Sequence, residues 1–344
     1  MPDSSLIILI FIIVLAIAFG IVNGFNDAAN AIAPAIGTRA LSPRIAIIIA
    51  AIANFLGAAT GTAVAHTIGK GILVPEVITY STVIAGLAAV IIWGTFATYL
   101  GLPISLHHGF ISGLAAAGIA IAGSKAVVWG VMQQIIAAVI IAPALGFAGG
   151  FVVMICLYWL FRKGAPDKMR RTFSRLQFLT TAFMAYSHGK NDGQMPIGVI
   201  TMAMVIFYHD TGLWDRLSIF SADTWWIISI SALAISVGTA MGGWRVIKTM
   251  GMKVTNLRPS QGFTTQAAAA TVIEFASHFG IPVSTTHVIT ASTMGVGSAN
   301  RFSAVRWGIA GNIIAAWVLT FPICGALGYF FAWLLQSLPK TFTG

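Results

Sequence analysis

The stretch GFNDAAN, Gly24 to Asn30, interrupts a run from about Leu6 to Ile36 that is otherwise almost wholly apolar. A second stretch, GKNDGQM from Gly189 to Met195, repeats the pattern in the other half of the chain. Asn and Asp are weak helix formers, because their side chains compete for nearby backbone groups, and the Gly ahead of them is weaker still. A single membrane crossing needs only about 20 residues, so the first run is too long for one straight span. Both stretches are therefore predicted to mark unwound points, where a carboxylate is kept at membrane depth for a purpose.

The composition supports a membrane setting. The 344 residues are 58% hydrophobic and 8% charged, against roughly 25% charged in soluble domains. Apolar stretches divided by short polar breaks predict about ten segments of roughly 20 residues. The run after Ser5 has no basic leader and continues directly into more apolar sequence, so it reads as a retained helix rather than a signal peptide. Cys156 and Cys324 fall in apolar runs and give no disulfide framework, and no His/Cys spacing resembles a zinc site.

Two stretch pairs are joined only by GLP (Gly101–Pro103) and GIP (Gly280–Pro282). If each pair is a hairpin that enters and leaves on one side, and the N-terminus is outside, the Lys and Arg residues segregate. External loops then hold only Lys70, Lys125, Arg216 and Lys340. Apart from Lys190, which lies inside a break, all the others are cytoplasmic. That asymmetry sets the orientation, puts both termini outside, and explains the net charge of +10 without nucleic acid. The expected architecture is an all-α polytopic membrane protein built of inverted-topology repeats, with broken helices and two re-entrant helical hairpins. Residues 1–161 form the first repeat, 162–175 a basic cytoplasmic loop, and 176–344 the second repeat. Aligning FATYLGLPISLHHG (from Phe96) with FASHFGIPVSTTHV (from Phe275) keeps Gly101/Gly280, Pro103/Pro282, Ser105/Ser284 and His108/His287 at one offset. Inverted repeats broken at matching positions are a mark of secondary transporters.

Only Asp27, Asp192 and Glu274 place carboxylates at membrane depth in this layout. Each costs a few kcal/mol there and marks a partner or an ion. Freed carbonyls at the breaks, together with Asn26, Asp27, Asn30, Asn191, Asp192 and Glu274, predict hard oxygen ligands for a coupling cation, H+ or Na+. The plainer reading is that the Asn-Asp pairs cap a following helix. The hairpin tips predict the opposite charge preference. Proline at the first turn of a new helix, unpaired N–H groups and the hydroxyls of Ser105, Ser284, Thr285 and Thr286 make an anion cradle. The plainer reading there is helix-packing hydroxyls. Lys190 would offset Asp192 or help hold the anion. His108 and His287 would orient the cradle or carry protons.

GFNDAANAIAPAIGTRALSP, YSHGKNDGQ and GIPVSTTHVITASTMGVGSANRFSAVRWG resemble the inorganic phosphate transporter (PiT) family, and in particular its short bacterial low-affinity branch. The resemblance covers nearly the whole chain. It implies a secondary symporter of the cytoplasmic membrane of a bacterium or archaeon, a homodimer without cofactors, taking up inorganic phosphate or a metal–phosphate complex with H+ or Na+. It carries Asn26, Asp27, Asn30, Asn191, Asp192, Gln194, Ser105, Ser284, Thr285 and Thr286 as site residues. Two positions depart from the family pattern. The first tip reads Ser105-Leu106-His107-His108 in place of a hydroxyl run. Asn54 stands where many Na+-linked relatives carry Glu, which favours H+. Alternatives are another oxyanion such as sulfate or arsenate, or a passive anion channel. An intramembrane enzyme using His188 and Asp192 lacks a role for the duplicated Asn-Asp.

Overall fold

The computed structural model describes residues 4–337, the side chains of residues 4 and 28–30 excepted. Asn30, a predicted cation ligand, and Lys340, counted in an external loop, therefore lie outside what is described. The described residues form fourteen α-helices and no strands. Five helices are long and apolar enough to cross a membrane, or seven if each of two bent pairs is one span. That is fewer than the ten segments predicted.

The two halves follow one order of elements. In the first, α1 (Ser4–Asn26) leads into α2 (Ala28–Gly37), and α3 (Pro43–Ala59) is bent by 67° from α4 (Ala63–Lys70). Next come α5 (Tyr80–Leu100) and α6 (Leu106–Ala122), then the long α7 (Trp129–Leu160). In the second, α8 (Pro166–Asp192) leads into α9 (Gln194–Tyr208). Then α10 (Trp225–Met241) is bent by 61° from α11 (Trp244–Lys248), whose π-helical extension ends at Lys253. The helices α12 (Pro259–His278), α13 (Thr285–Asn300) and α14 (Trp307–Gln336) complete the chain. The bends fall where Thr60-Gly61-Thr62 and Gly242-Gly243 end the first helix of each pair; Gly242 takes a positive φ of 69°.

The interruptions at the Asn-Asp pairs are one residue deep. Asp27 keeps helical dihedrals (φ −86°, ψ −33°), and its N–H still donates to Asn23 O at 2.8 Å. Gly193 does the same (φ −65°, ψ −19°), donating to Gly189 O at 2.9 Å. The expected unwound backbone with freed carbonyls is therefore corrected: the polar side chains, rather than the main chain, face the interior. The glycines of these motifs serve close packing. A Cβ on Gly24 would fall 2.1 Å from Ile235 O, and one on Gly189 would fall 2.2 Å from Asn54 O. Small residues that let backbones approach are the usual means of helix association in membranes.

The core divides into two main buried clusters. One is contributed largely by α1, α4, α5, α6, α9 and α10, and the other by α2, α3, α8, α11, α12 and α13. The Asn-Asp junctions and the first turns of α6 and α13 meet between them.

Candidate substrate and cation site

The tips are built by serine caps. Ser105 precedes α6 in extended conformation and its hydroxyl accepts from His108 N at 3.3 Å; Ser284 precedes α13 and accepts from His287 N at 3.1 Å. This corrects the placement of the prolines. Pro103 and Pro282 lie two residues ahead of the caps rather than in the first turn, and Gly101 and Gly280 turn the chain with φ of 73° and 67°. The remaining first-turn N–H groups carry the positive end of each helix dipole. Thr285 Oγ1 is buried and has no hydrogen-bond partner.

These tips meet the Asn-Asp motifs. Thr286 donates its hydroxyl to Asp27 Oδ1 at 2.8 Å, and the Leu106 backbone of the other tip also bonds to Asp27. Asn191 Nδ2 donates to Val283 O at 2.7 Å and to Asp192 Oδ1 at 2.9 Å. The two Asn residues make matching contacts. Asn26 Nδ2 donates to Thr98 Oγ1 at 2.5 Å, and Asn191 Oδ1 accepts from Ser277 at 3.3 Å, where Thr98 and Ser277 occupy aligned positions. The carboxylates of Asp27 and Asp192 are 2% and 0% exposed and lie within 4.8 Å of each other and of His188. Two like charges this close in a low-dielectric interior call for a cation.

Four predicted residues have partners the sequence did not indicate. Lys190 pairs with Glu274, away from Asp192. Gln194 spends its amide on the backbone: Oε1 accepts from Val64 N and Ala65 N at 2.8 and 3.1 Å, satisfying the start of α4, and Nε2 donates to Lys190 O at 2.6 Å. His108 and His287 come together behind the tips, with ring centroids 5.0 Å apart, against Phe321 and Trp317 of α14.

Sequence reasoning did not select three residues that the fold brings to this centre. His188 Nε2 lies 3.6 Å, and His107 Nδ1 3.5 Å, from Asp192 Oδ2. Asn54 Oδ1 bonds to His188 Nδ1 at 2.7 Å. His188 was open to detection: it sits one turn before Asp192, on the same helix face. His107 aligns with Thr286, so its contact with Asp192 stands where the repeat places Thr286 against Asp27.

Apolar spanning helices around a buried centre of carboxylates and helix starts define a polytopic membrane transport protein, and comparison with known proteins gives the family. A model of the phosphate transporter family matches residues 23–328, and the chain belongs to that family. It is 39% identical to a probable low-affinity inorganic phosphate transporter of Bacillus subtilis, over 98% of this chain and 99% of that one. It is 38% identical to another from Rhizobium meliloti, over 94% and 96%. A solved structure of a sodium-dependent phosphate transporter superposes with a TM-score of 0.85 at 27% identity, covering 96% of this chain and all of that one.

Proposed function

We propose that the chain takes up inorganic phosphate by cation-coupled symport across the cytoplasmic membrane, with alternating access around the centre between the two tips. The observation that carries this reading is the Thr286–Asp27 hydrogen bond, with Asp192 beside it. It joins a helix start suited to an anion to a carboxylate pair suited to a cation. Helix N-termini with added hydroxyls suit a small oxyanion. Phosphate at neutral pH still carries a proton to donate to a facing carboxylate, whereas sulfate does not. The family and its named relatives support phosphate as the substrate.

The two halves, residues 1–161 and 176–344, are proposed as inverted repeats that rock about this centre, with 162–175 as the cytoplasmic link. Their shared order of elements supports this. The contrast of basic and non-basic loops supports external termini. On the proposed external side, a cavity of about 310 Å3 lined by Lys70, Gln134 and Thr67 reaches Gly280 and Pro282 of the second tip. Thr67 donates to Gly280 O at 2.7 Å across its floor. The coupling ion is proposed to be H+, since Asn54 is neutral and engaged with His188 and Thr239. A homodimer completes the reading.

The test is uptake of labelled phosphate into proteoliposomes with Na+ and pH gradients imposed separately. Accumulation above the external concentration, driven by an inward proton gradient and lost in Asp27→Asn and Asp192→Asn, is expected. Downhill flux without any gradient would make the protein a channel. Competition by sulfate as strong as by unlabelled phosphate would move the substrate to another oxyanion.

A further inference from the structure

The two hairpin elbows are held in the same way, each by the other half of the chain. Gly101 and Gly280 turn at positive φ, and each turn uses its own N–H groups. Gly101 N donates to Thr98 O and Leu102 N to Ala97 O; Gly280 N donates to Ser277 O and Ile281 N to Ala276 O. The glycine carbonyls are left for partners outside the hairpins. Gly280 O accepts from Thr67 Oγ1 at 2.7 Å, and Gly101 O accepts from Thr249 Oγ1 at 3.1 Å. Thr67 lies on α4, in the first half, and Thr249 begins the π-helical extension of α11, in the second.

The match extends to the backbone beneath. A Cβ on Gly280 would lie 3.1 Å from Ala63 O, and one on Gly101 would lie 3.2 Å from Arg245 Cβ. Each of these residues stands four before its threonine, whose hydroxyl also reaches back to its carbonyl: Ala63 O at 3.4 Å and Arg245 O at 3.1 Å. A hydroxyl has one proton to donate, and a helical threonine readily gives it to the carbonyl four residues back. Either threonine can therefore release its elbow without stranding a donor.

The surroundings of the two bonds differ. Thr67 and Gly280 line the 310 Å3 cavity on the proposed external side. Thr249 is buried, and Arg245 reaches over from the same helix. Its guanidinium donates to Tyr99 O, among the last carbonyls of α5, and lies 4.4 Å from the centre of the Tyr99 ring. A cation there also offsets the negative end of the α5 dipole. Ala63 gives the second tip no such support, so the first tip is held more firmly.

We propose that Thr67 and Thr249 are paired latches on opposite sides of the central site. Thr67 holds the second tip on the external side, Thr249 with Arg245 holds the first tip on the cytoplasmic side, and transport opens one while the other stays made. That role rests on the transport reading; the latching itself does not. Both bonds are made in this structure, and Asp27 and Asp192 are buried between the tips. Since Arg245 reinforces only the cytoplasmic latch, the external one opens more readily, which suits uptake from outside.

The test is thiol labelling of the full chain in membrane vesicles of known orientation, without phosphate. The reporters are Ile281→Cys and Leu102→Cys, each next to an elbow glycine, in a Cys156→Ser background; Cys324 is buried. An impermeant maleimide is applied to right-side-out vesicles for the first and to inside-out vesicles for the second. Thr67→Val should speed labelling of Ile281→Cys about 2- to 10-fold, the range that one neutral hydrogen bond supports, and leave Leu102→Cys unchanged. Thr249→Val should do the reverse, and Arg245→Met should speed Leu102→Cys at least as much. Thr67→Ser and Thr249→Ser keep the hydroxyl and should match wild type. No change in either valine variant, or one substitution that speeds both reporters, overturns the proposal; the second result would mark general loosening of the fold. If Thr249→Val does not reach the membrane, Arg245→Met, at an exposed position, decides the cytoplasmic side. Phosphate uptake into proteoliposomes separates the two readings: side-specific labelling without uptake sinks only the transport reading, and uptake with unaltered labelling sinks only the latches.

Discussion

Thr286 and Asp27 are 259 residues apart in sequence and share a 2.8 Å hydrogen bond in a buried setting. The hydroxyl that begins α13 is thereby committed to the carboxylate that ends α1. Whatever moves the second tip must break or carry this bond, so the proposed anion and cation sites are expected to act together.

Thr286→Val keeps the shape and removes the donor. Hydrogen bonds to charged groups contribute about 1.5–3 kcal/mol, which corresponds to roughly a 10- to 100-fold change in affinity. The apparent KM for phosphate should rise by about that factor, while Thr286→Ser should stay near wild type. Uptake kinetics in proteoliposomes check this; a Thr286→Val variant with an unchanged KM removes the bond from the mechanism.

Gln194 should behave as a structural residue. Its Oε1 satisfies two buried backbone donors at the start of α4, and leaving such donors unpaired costs about 1–3 kcal/mol each. Gln194→Leu is expected to lower the melting temperature in detergent, with lost uptake following lost folded protein. A normal melting temperature with a raised KM would return Gln194 to the substrate.

Much of the centre was legible in the sequence because it is duplicated. Asp27, Asp192, Ser105 and Ser284 stand out as polar residues in apolar runs at matching positions, and the fold gathers their two motifs at one place. Depth of the breaks was not legible. Asn-Asp after glycine predicts unwinding from local propensity, yet Asn26 and Asn191 find partners in Thr98, Ser277 and Val283, and those tertiary bonds let the helix continue. The partners of Gln194 and Lys190 were hidden for a related reason. A polar residue beside a site motif looks like a ligand until its partners, the start of α4 and Glu274, are brought in from distant segments. The pairing of His188 with Asn54 was not legible because it lies in a contact across 134 residues.

Lys190 and Glu274 form a cross-helix ion pair between α8 and α12. Breaking a fully buried pair costs about 3–5 kcal/mol because one charge is left alone; both side chains here keep some solvent access, which reduces the cost. Lys190→Met and Glu274→Gln should each destabilise the protein more than the double variant does. Melting temperatures of the four forms close a double-mutant cycle, and purely additive effects would show that the two charges do not interact.

Gly189 tests the packing that holds His188 against Asn54. A Cβ there would lie 2.2 Å from Asn54 O and 2.7 Å from its Cα. Backbone atoms cannot swing aside, so Gly189→Ala must push α3 away from α8. That shift moves Asn54 from His188 even though neither residue is changed. At Gly130 and Gly308 an added Cβ meets nothing within 4 Å, and alanine there should be neutral or favourable by up to about 1 kcal/mol on helix propensity. Gly189→Ala is therefore expected to reduce the yield of monodisperse protein sharply, and any folded fraction should take up phosphate more slowly. Gly130→Ala and Gly308→Ala should match wild type in both measurements. If Gly189→Ala also matches wild type in both, the close approach of α3 and α8 is not what positions His188.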